Sequence, residues 1–194
     1  MIRARALSKR FGTRVALAGL DLDVPRGGFL LVTGRNGSGK TTLLRLLAGL
    51  AAPTGGALEV ATERARVGFL AHEPLLYRQL TAVENLDLYA RLYRVAERRE
   101  RIGMLLERFD LWDARHDPVG TFSRGMLQRL ALCRTLLHEP ELLLLDEPFN
   151  ALDVEGATLL DRELEAARGE RTLVVATHDP DRLAVPATAR LRLA

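Results

Sequence analysis

The chain has 194 residues, 47% hydrophobic and 27% charged, which suits one folded domain of about 100–200 residues and excludes intrinsic disorder or a multidomain machine. Its 28 basic and 25 acidic residues leave a net charge of only +3, spread along the sequence, so no nucleic-acid partner is expected. No apolar run reaches the roughly 18 residues of a membrane-spanning helix, Val15–Leu20 is too short for a signal-peptide core, and the single cysteine, Cys133, suits a reducing compartment; a cytosolic location is expected.

In chain order, Ile2–Leu7, Leu20–Val24 and Phe29–Thr33 are predicted strands, the last almost wholly apolar as in a strand covered on both faces. A glycine-rich segment follows at once, and the helix after it is stopped by Gly49 and Pro53. Thr54–Leu70 holds a Gly55-Gly56 turn and two short alternating segments, expected beside the first strands. From about Pro74 the pattern is helical. Thr81 and Glu84 have capping-box spacing, Leu86, Tyr89, Ala90 and Tyr93 share one helical face, and a second helix is predicted over Glu97–Phe109. Arg94, Arg98, Arg99 and Arg101, interleaved with Glu97 and Glu100, read as a solvated helix face.

A further helix opens at Phe122, with Met126, Leu130, Cys133 and Leu137 as its apolar stripe. Leu142–Leu145 is a buried strand, the stretch around Glu155–Arg168 a helix, and Thr172–Ala176 a β-branched strand ending near His178. The alternation predicts an α/β fold, a mostly parallel sheet with helices on both faces. Residues 74–121 are expected as a helical subdomain inserted into a nucleotide-binding core made of residues 1–73 and 122–194, the whole forming one domain.

Gly34, Arg35, Asn36, Gly37, Ser38, Gly39, Lys40 and Thr41 satisfy G-x-x-x-x-G-K-S/T at every fixed position. Such a loop turns its backbone N–H groups around phosphates, and the following helix aims its positive end at the same anion. Lys40 can then reach the β- and γ-phosphates, and the Thr41 hydroxyl can ligate Mg²⁺. Only Lys9 and Lys40 among the basic residues are lysine, which makes Lys40 conspicuous. Asp146 and Glu147 stand side by side at the carboxyl end of a buried strand, where alternating directions give them different tasks. Asp146 is expected to hold Mg²⁺, and Glu147 to polarise the attacking water.

Ser123-Arg124-Gly125-Met126, just before that second motif, resembles the signature motif of ATP-binding cassette (ABC) ATPases, commonly LSGGQ, with Arg124 and Met126 replacing Gly and Gln. The resemblance covers essentially the whole chain, with the motifs at Phe11, 34–42, 72, 122–126, 142–147, 150–153 and 178 in the family's order. It implies a P-loop, RecA-like core with an N-terminal antiparallel β part. It also implies an ATP-dependent head-to-tail homodimer in which Ser123, Arg124, Gly125 and Met126 close on the partner's loop, and separate integral membrane subunits, with this chain peripheral on the cytoplasmic face. By the same resemblance Phe11 stacks on adenine, Thr42 joins the nucleotide contacts, His178 and His72 act at the γ-phosphate and its water, and Asp153 links the two sites.

His72 stands where most cassette ATPases have glutamine. With the segment from Tyr77 to Leu86 and the short chain, this resembles the CcmA-type ATPase of the haem exporter used in cytochrome c maturation. The expected function is hydrolysis of ATP, with Mg²⁺, to drive transport. The ATPase of another small exporter and a soluble, non-transport cassette ATPase are the alternatives.

Overall fold

A computed structural model describes residues 1–193. In order they form β1 (Ile2–Phe11), β2 (Arg14–Val24), β3 (Phe29–Thr33), α1 (Lys40–Leu47), β4 (Gly55–Val60), β5 (Val67–Leu70), α2 (Ala82–Leu92) and α3 (Arg98–Arg108). There follow α4 (Arg124–Leu136), β6 (Leu142–Asp146), α5 (Val154–Ala167), β7 (Thr172–Thr177) and β8 (Ala189–Arg192). Two sheets result: antiparallel β2-β1-β4, and a parallel sheet of order β5-β6-β7-β3-β8.

The inner strands of the parallel sheet explain the layering. Successive side chains of a strand point to opposite faces. Leu30 and Val32 of β3, Leu142 and Leu144 of β6, and Val174 and Ala176 of β7 face α1 and the antiparallel sheet. Phe29, Leu31, Leu143, Leu145, Leu173 and Val175 face the opposite way, onto α4, α5 and the helical layer of α2 and α3. Each leucine wholly buried this way contributes about 1.5–3 kcal/mol. Runs such as Leu142–Leu145 therefore have no polar position to spare.

Four local expectations change. β1 continues past Leu7 to Phe11, because the strand slips register between Ala4 and Leu7 and again on either side of Lys9. At the first bulge Ala6 has φ 46° and its N–H donates to the Asp21 carboxylate at 2.8 Å, so the side-chain alternation is lost while pairing continues. β5 joins the parallel sheet beside β6 rather than the first strands. Its Gly68 allows this, since a Cβ there would lie 2.8 Å from both Pro140 Cγ and the Thr135 carbonyl oxygen. α2 starts at Ala82, behind the reciprocal Thr81–Glu84 capping box that the spacing predicts, but Tyr93, expected on its apolar face, is exposed.

Finally, Arg101 is not on a solvated face. Its side chain is 11% exposed and it donates to the Leu136 and Leu137 carbonyls that end α4, at 2.9 and 3.3 Å. Arg98 pairs with Asp87 at 2.7 Å. Cys133 is fully buried, and burial pushes its thiol pKa upward.

Candidate active site

The loop between β3 and α1 is shaped by its glycines. Gly39, with φ 99°, precedes the first residue of α1, and a Cβ there would sit 2.5 Å from the Ala16 carbonyl oxygen of β2. Only glycine accommodates that backbone and that approach. The loop curls around the Lys40 ammonium, which donates to the carbonyls of Gly34 (2.8 Å) and Arg35 (3.2 Å) and lies 3.5 Å from Glu147 Oε1.

Strand alternation delivers the first carboxylate. Asp146 has the same parity as Leu142 and Leu144, so it points toward α1, where the Thr41 hydroxyl donates to its Oδ2 at 2.7 Å. Its Oδ1 is buried without a partner. Burial, reinforced by the charge of Glu147, raises the Asp146 pKa above the ordinary carboxylate range, against the Thr41 hydrogen bond and the nearby His72 and Lys40.

Glu147 leaves the strand direction by adopting φ 50°, a conformation uncommon for non-glycine residues. Its carboxylate turns toward the end of β7. Oε2 accepts from the Thr177 hydroxyl (3.1 Å) and the His178 backbone N–H (3.3 Å), and lies 2.9 Å from His178 Nδ1. Gln128 of α4 donates to the Pro148 carbonyl at 3.0 Å and so ties the turn after Glu147 to the helix of the signature-like motif.

These groups share a cavity of about 530 Å³, lined also by Phe11, Asn36, Gly37, Thr42 and His72. Phe11 is 54% exposed, and His72 is exposed rather than buried. Arg35 is exposed at the loop, and the Ser38 hydroxyl is buried without a partner.

The signature-like residues lie elsewhere. Ser123 caps α4, its hydroxyl accepting from the Met126 N–H at 3.2 Å, with Arg124 exposed beside it and Gly125 and Met126 half-buried. Asp153 caps α5, accepting from the Gly156 N–H at 2.8 Å. Neither group lines the loop cavity. Arg124 instead borders an adjoining groove with His72, Asn150 and Ala151.

Sequence reasoning missed Arg14 and Thr177, and took Asn150, which lines the cavity, only as the first residue of the 150–153 motif. The available signals were the place of Arg14 just across the hairpin from Phe11, and of Thr177 just before His178.

The oxygen donors fit a hard divalent cation: a buried carboxylate with one unpartnered oxygen beside a hydroxyl. Among the described residues no cluster of three or more His, Cys, Asp or Glu could hold a metal. A Mg²⁺ ion here would therefore draw the rest of its shell from phosphate and water.

Fold and loop together define the α/β architecture of ATP-binding cassettes, with a glycine-rich loop at the carboxyl edge of a parallel sheet. The chain belongs to the ABC transporter family, whose profile matches residues 17–150, and it carries the ABC ATPase fold. It is 41% identical over 180 residues to a daunorubicin resistance ATP-binding protein of Streptomyces coeruleorubidus, over 87% of this chain and 57% of that one. It is 37% identical over 204 residues to an aliphatic sulfonates import ATP-binding protein of Mesorhizobium japonicum, over 97% of this chain and 76% of that one. Among solved structures it resembles a dimeric ATP-binding cassette in a post-hydrolysis state bound to ADP and Pi, with TM-score 0.82 and 29% identity, over 94% of this chain and 90% of that one. The chain thus spans little more than half of the first relative's length. Among the described residues no helix is long and apolar enough to cross a membrane.

Proposed function

We propose that this chain binds ATP with Mg²⁺ in the loop cavity, hydrolyses it to ADP and phosphate, and couples that cycle to separate integral membrane subunits at the cytoplasmic face. The observation that carries the reading is the pair of contacts Thr41–Asp146 (2.7 Å) and Lys40–Glu147 (3.5 Å) inside one cavity. The first is a cation-binding pair of oxygens. The second holds the candidate base in check.

Glu147 Oε2 is committed to Thr177 and His178, so Oε1 is the oxygen available to a water molecule. Lys40 occupies that oxygen. An anionic phosphate in the loop competes for Lys40, and as the ammonium turns toward it Oε1 becomes free to orient water and accept its proton. Mg²⁺, when bound, neutralises phosphate charge; Thr41 and Asp146 are the residues that would hold it. Phe11 offers an aromatic face to the adenine.

Ser123, Arg124, Gly125 and Met126 lie outside their own loop cavity. This supports a head-to-tail homodimer in which they meet the partner's nucleotide and Asp153 links the two sites. The dimeric state of the solved cassette supports the same arrangement.

For cargo, the likeness to the Streptomyces drug-resistance relative supports a small-molecule exporter. A second reading, haem export in cytochrome c biogenesis, is favoured by His72 in the glutamine position.

The test is Glu147→Gln. It should retain ATP binding, lose turnover and run as an ATP-dependent dimer in gel filtration. Unchanged turnover with monomers only overturns the assigned base and the sandwich. Affinity purification of the tagged chain from detergent-solubilised membranes tests the coupling. An integral membrane protein should accompany it, and a haem absorption band in the complex decides for the second cargo.

A further inference from the structure

Of the two permanently charged cations that line the loop cavity, one is paired and one is not. Of the lining basic groups, Lys40 is enclosed by two loop carbonyls and Glu147, and His178 is on Glu147. Arg14 also lines the cavity, and among the described residues its guanidinium has neither a carboxylate nor a hydrogen-bond acceptor. It stands at the start of β2, directly opposite Phe11 across the hairpin. Its Nη2 reaches over the crown of the phosphate loop, 3.7 Å from where a Cβ of Gly37 would be. Gly37 has φ 85° and no side chain to fill that space.

An arginine fork without an anion, hung over an anion-binding loop, is arranged to receive phosphate oxygens, for which its planar donors are suited. Its position selects the part of the ligand it meets. Phe11 marks the base end of the cavity, while Lys40, Glu147 and His178 mark the end where the terminal phosphate is cleaved. Arg14 lies by the first of these, paired with Phe11, and above the loop's crown at Gly37.

We propose that Arg14 is a nucleotide-binding residue that clamps the α- and β-phosphates of the bound nucleoside di- or triphosphate from the hairpin side, opposite the loop backbone. The inference rests on the reading of this cavity as the ATP site. It assigns the antiparallel hairpin a part in holding the phosphates as well as the base. Because ADP and ATP share these phosphates, the contact is made equally before and after hydrolysis, so it governs affinity rather than the chemical step.

The experiment compares the full chain with Arg14→Ala, Arg14→Lys and Lys40→Ala, reading Mg·ATP turnover and Mg·ADP binding by calorimetry. The Arg14 side chain is exposed, so its removal leaves folding intact. Arg14→Ala should raise KM for ATP and Kd for ADP by about the same factor, roughly tenfold for the loss of a charged contact, with kcat within about twofold. Arg14→Lys should recover part of both.

An unchanged KM and Kd in Arg14→Ala, while Lys40→Ala loses nucleotide binding, overturns the role of Arg14 and leaves the ATP site standing. A rise in KM for ATP with an unchanged Kd for ADP overturns the placement on the α- and β-phosphates. If Lys40→Ala binds and turns over nucleotide normally, the reading of the cavity itself fails, and the inference with it.

Discussion

The two ends of this molecule treat their polar groups in opposite ways. In the helical layer, Asn85 is wholly buried and fully engaged: its Oδ1 accepts from the Tyr77 N–H at 2.8 Å and its Nδ2 donates to the Tyr77 and Thr81 carbonyls at 2.9 and 3.0 Å. Thr81 and Glu84 satisfy each other's backbone N–H groups at the start of α2. In the loop cavity, by contrast, Asp146 Oδ1 and Ser38 Oγ are buried without partners. The helical layer uses polar groups to fix a structure. The cavity leaves them unsatisfied, and a ligand that satisfies them gains what folding left open.

The sharpest way to break this contrast is Asp146→Asn. Asp146 has a raised pKa in the folded state, so its contribution to stability is complete below the unfolded pKa and is lost as pH rises through the folded one. Once ionised, the carboxylate therefore opposes folding. The amide keeps an acceptor for Thr41 and removes the charge. We expect ATP turnover to fall by about 100-fold or more, while the nucleotide-free chain melts at the same temperature as the wild type or higher. A clear drop in Tm would show that Asp146 is a structural residue and the contrast false.

Asn85→Ala is the mirror experiment. It leaves the Tyr77 N–H without a partner, while the Tyr77 and Thr81 carbonyls keep their backbone donors, and opens a small void, at a cost of about 2–3 kcal/mol. Denaturant melts should report that loss, with turnover per folded molecule within about twofold of wild type. Thr81→Ala, which removes one helix cap, should cost about 1 kcal/mol and likewise leave turnover intact. If either variant lost turnover in proportion to its stability, the two ends would not be separable.

The same contrast decides what could be read from the sequence. The glycine loop between β3 and α1 was legible because its glycines and Lys40 stand at a fixed spacing that the backbone there requires. β3, β6 and β7 were legible because both of their faces are covered. Glu147 could be placed at a strand end, but not its turn toward β7, which depends on a backbone angle and on Thr177. The second half of β1 was hidden by bulges that shift its alternation, and β8 by the exposure of most of its residues. Arg101 looked solvated because its acceptors are the carbonyls of a helix end 35 residues further on. Arg14 carried one faint signal, its place just across the hairpin from Phe11, which says nothing of the loop beneath it.

The smallest expected effect lies on the seam between the two ends. His138, just beyond α4, stacks on Tyr93 with ring centroids 4.0 Å apart, and its Nε2 lies 3.2 Å from the Val67 carbonyl of β5. Its Nδ1 is buried without a partner. Burial lowers its pKa below the ordinary 6.5, against the hydrogen bond to Val67 and with the nearby charges of Arg134 and Arg101. A histidine with a lowered folded pKa binds more protons when unfolded, so its stabilising effect is complete above about pH 6.5 and declines as pH falls below that value. His138→Phe keeps an aromatic ring against Tyr93 and cannot titrate. The Tm advantage of the wild type over this variant should be largest at pH 7.5 and shrink by about 2 °C or less by pH 5.5. An advantage that grew on acidification would mean that His138 is held in its charged form. The seam would then resemble the cavity, with a charge kept waiting for a partner, rather than the satisfied helical layer.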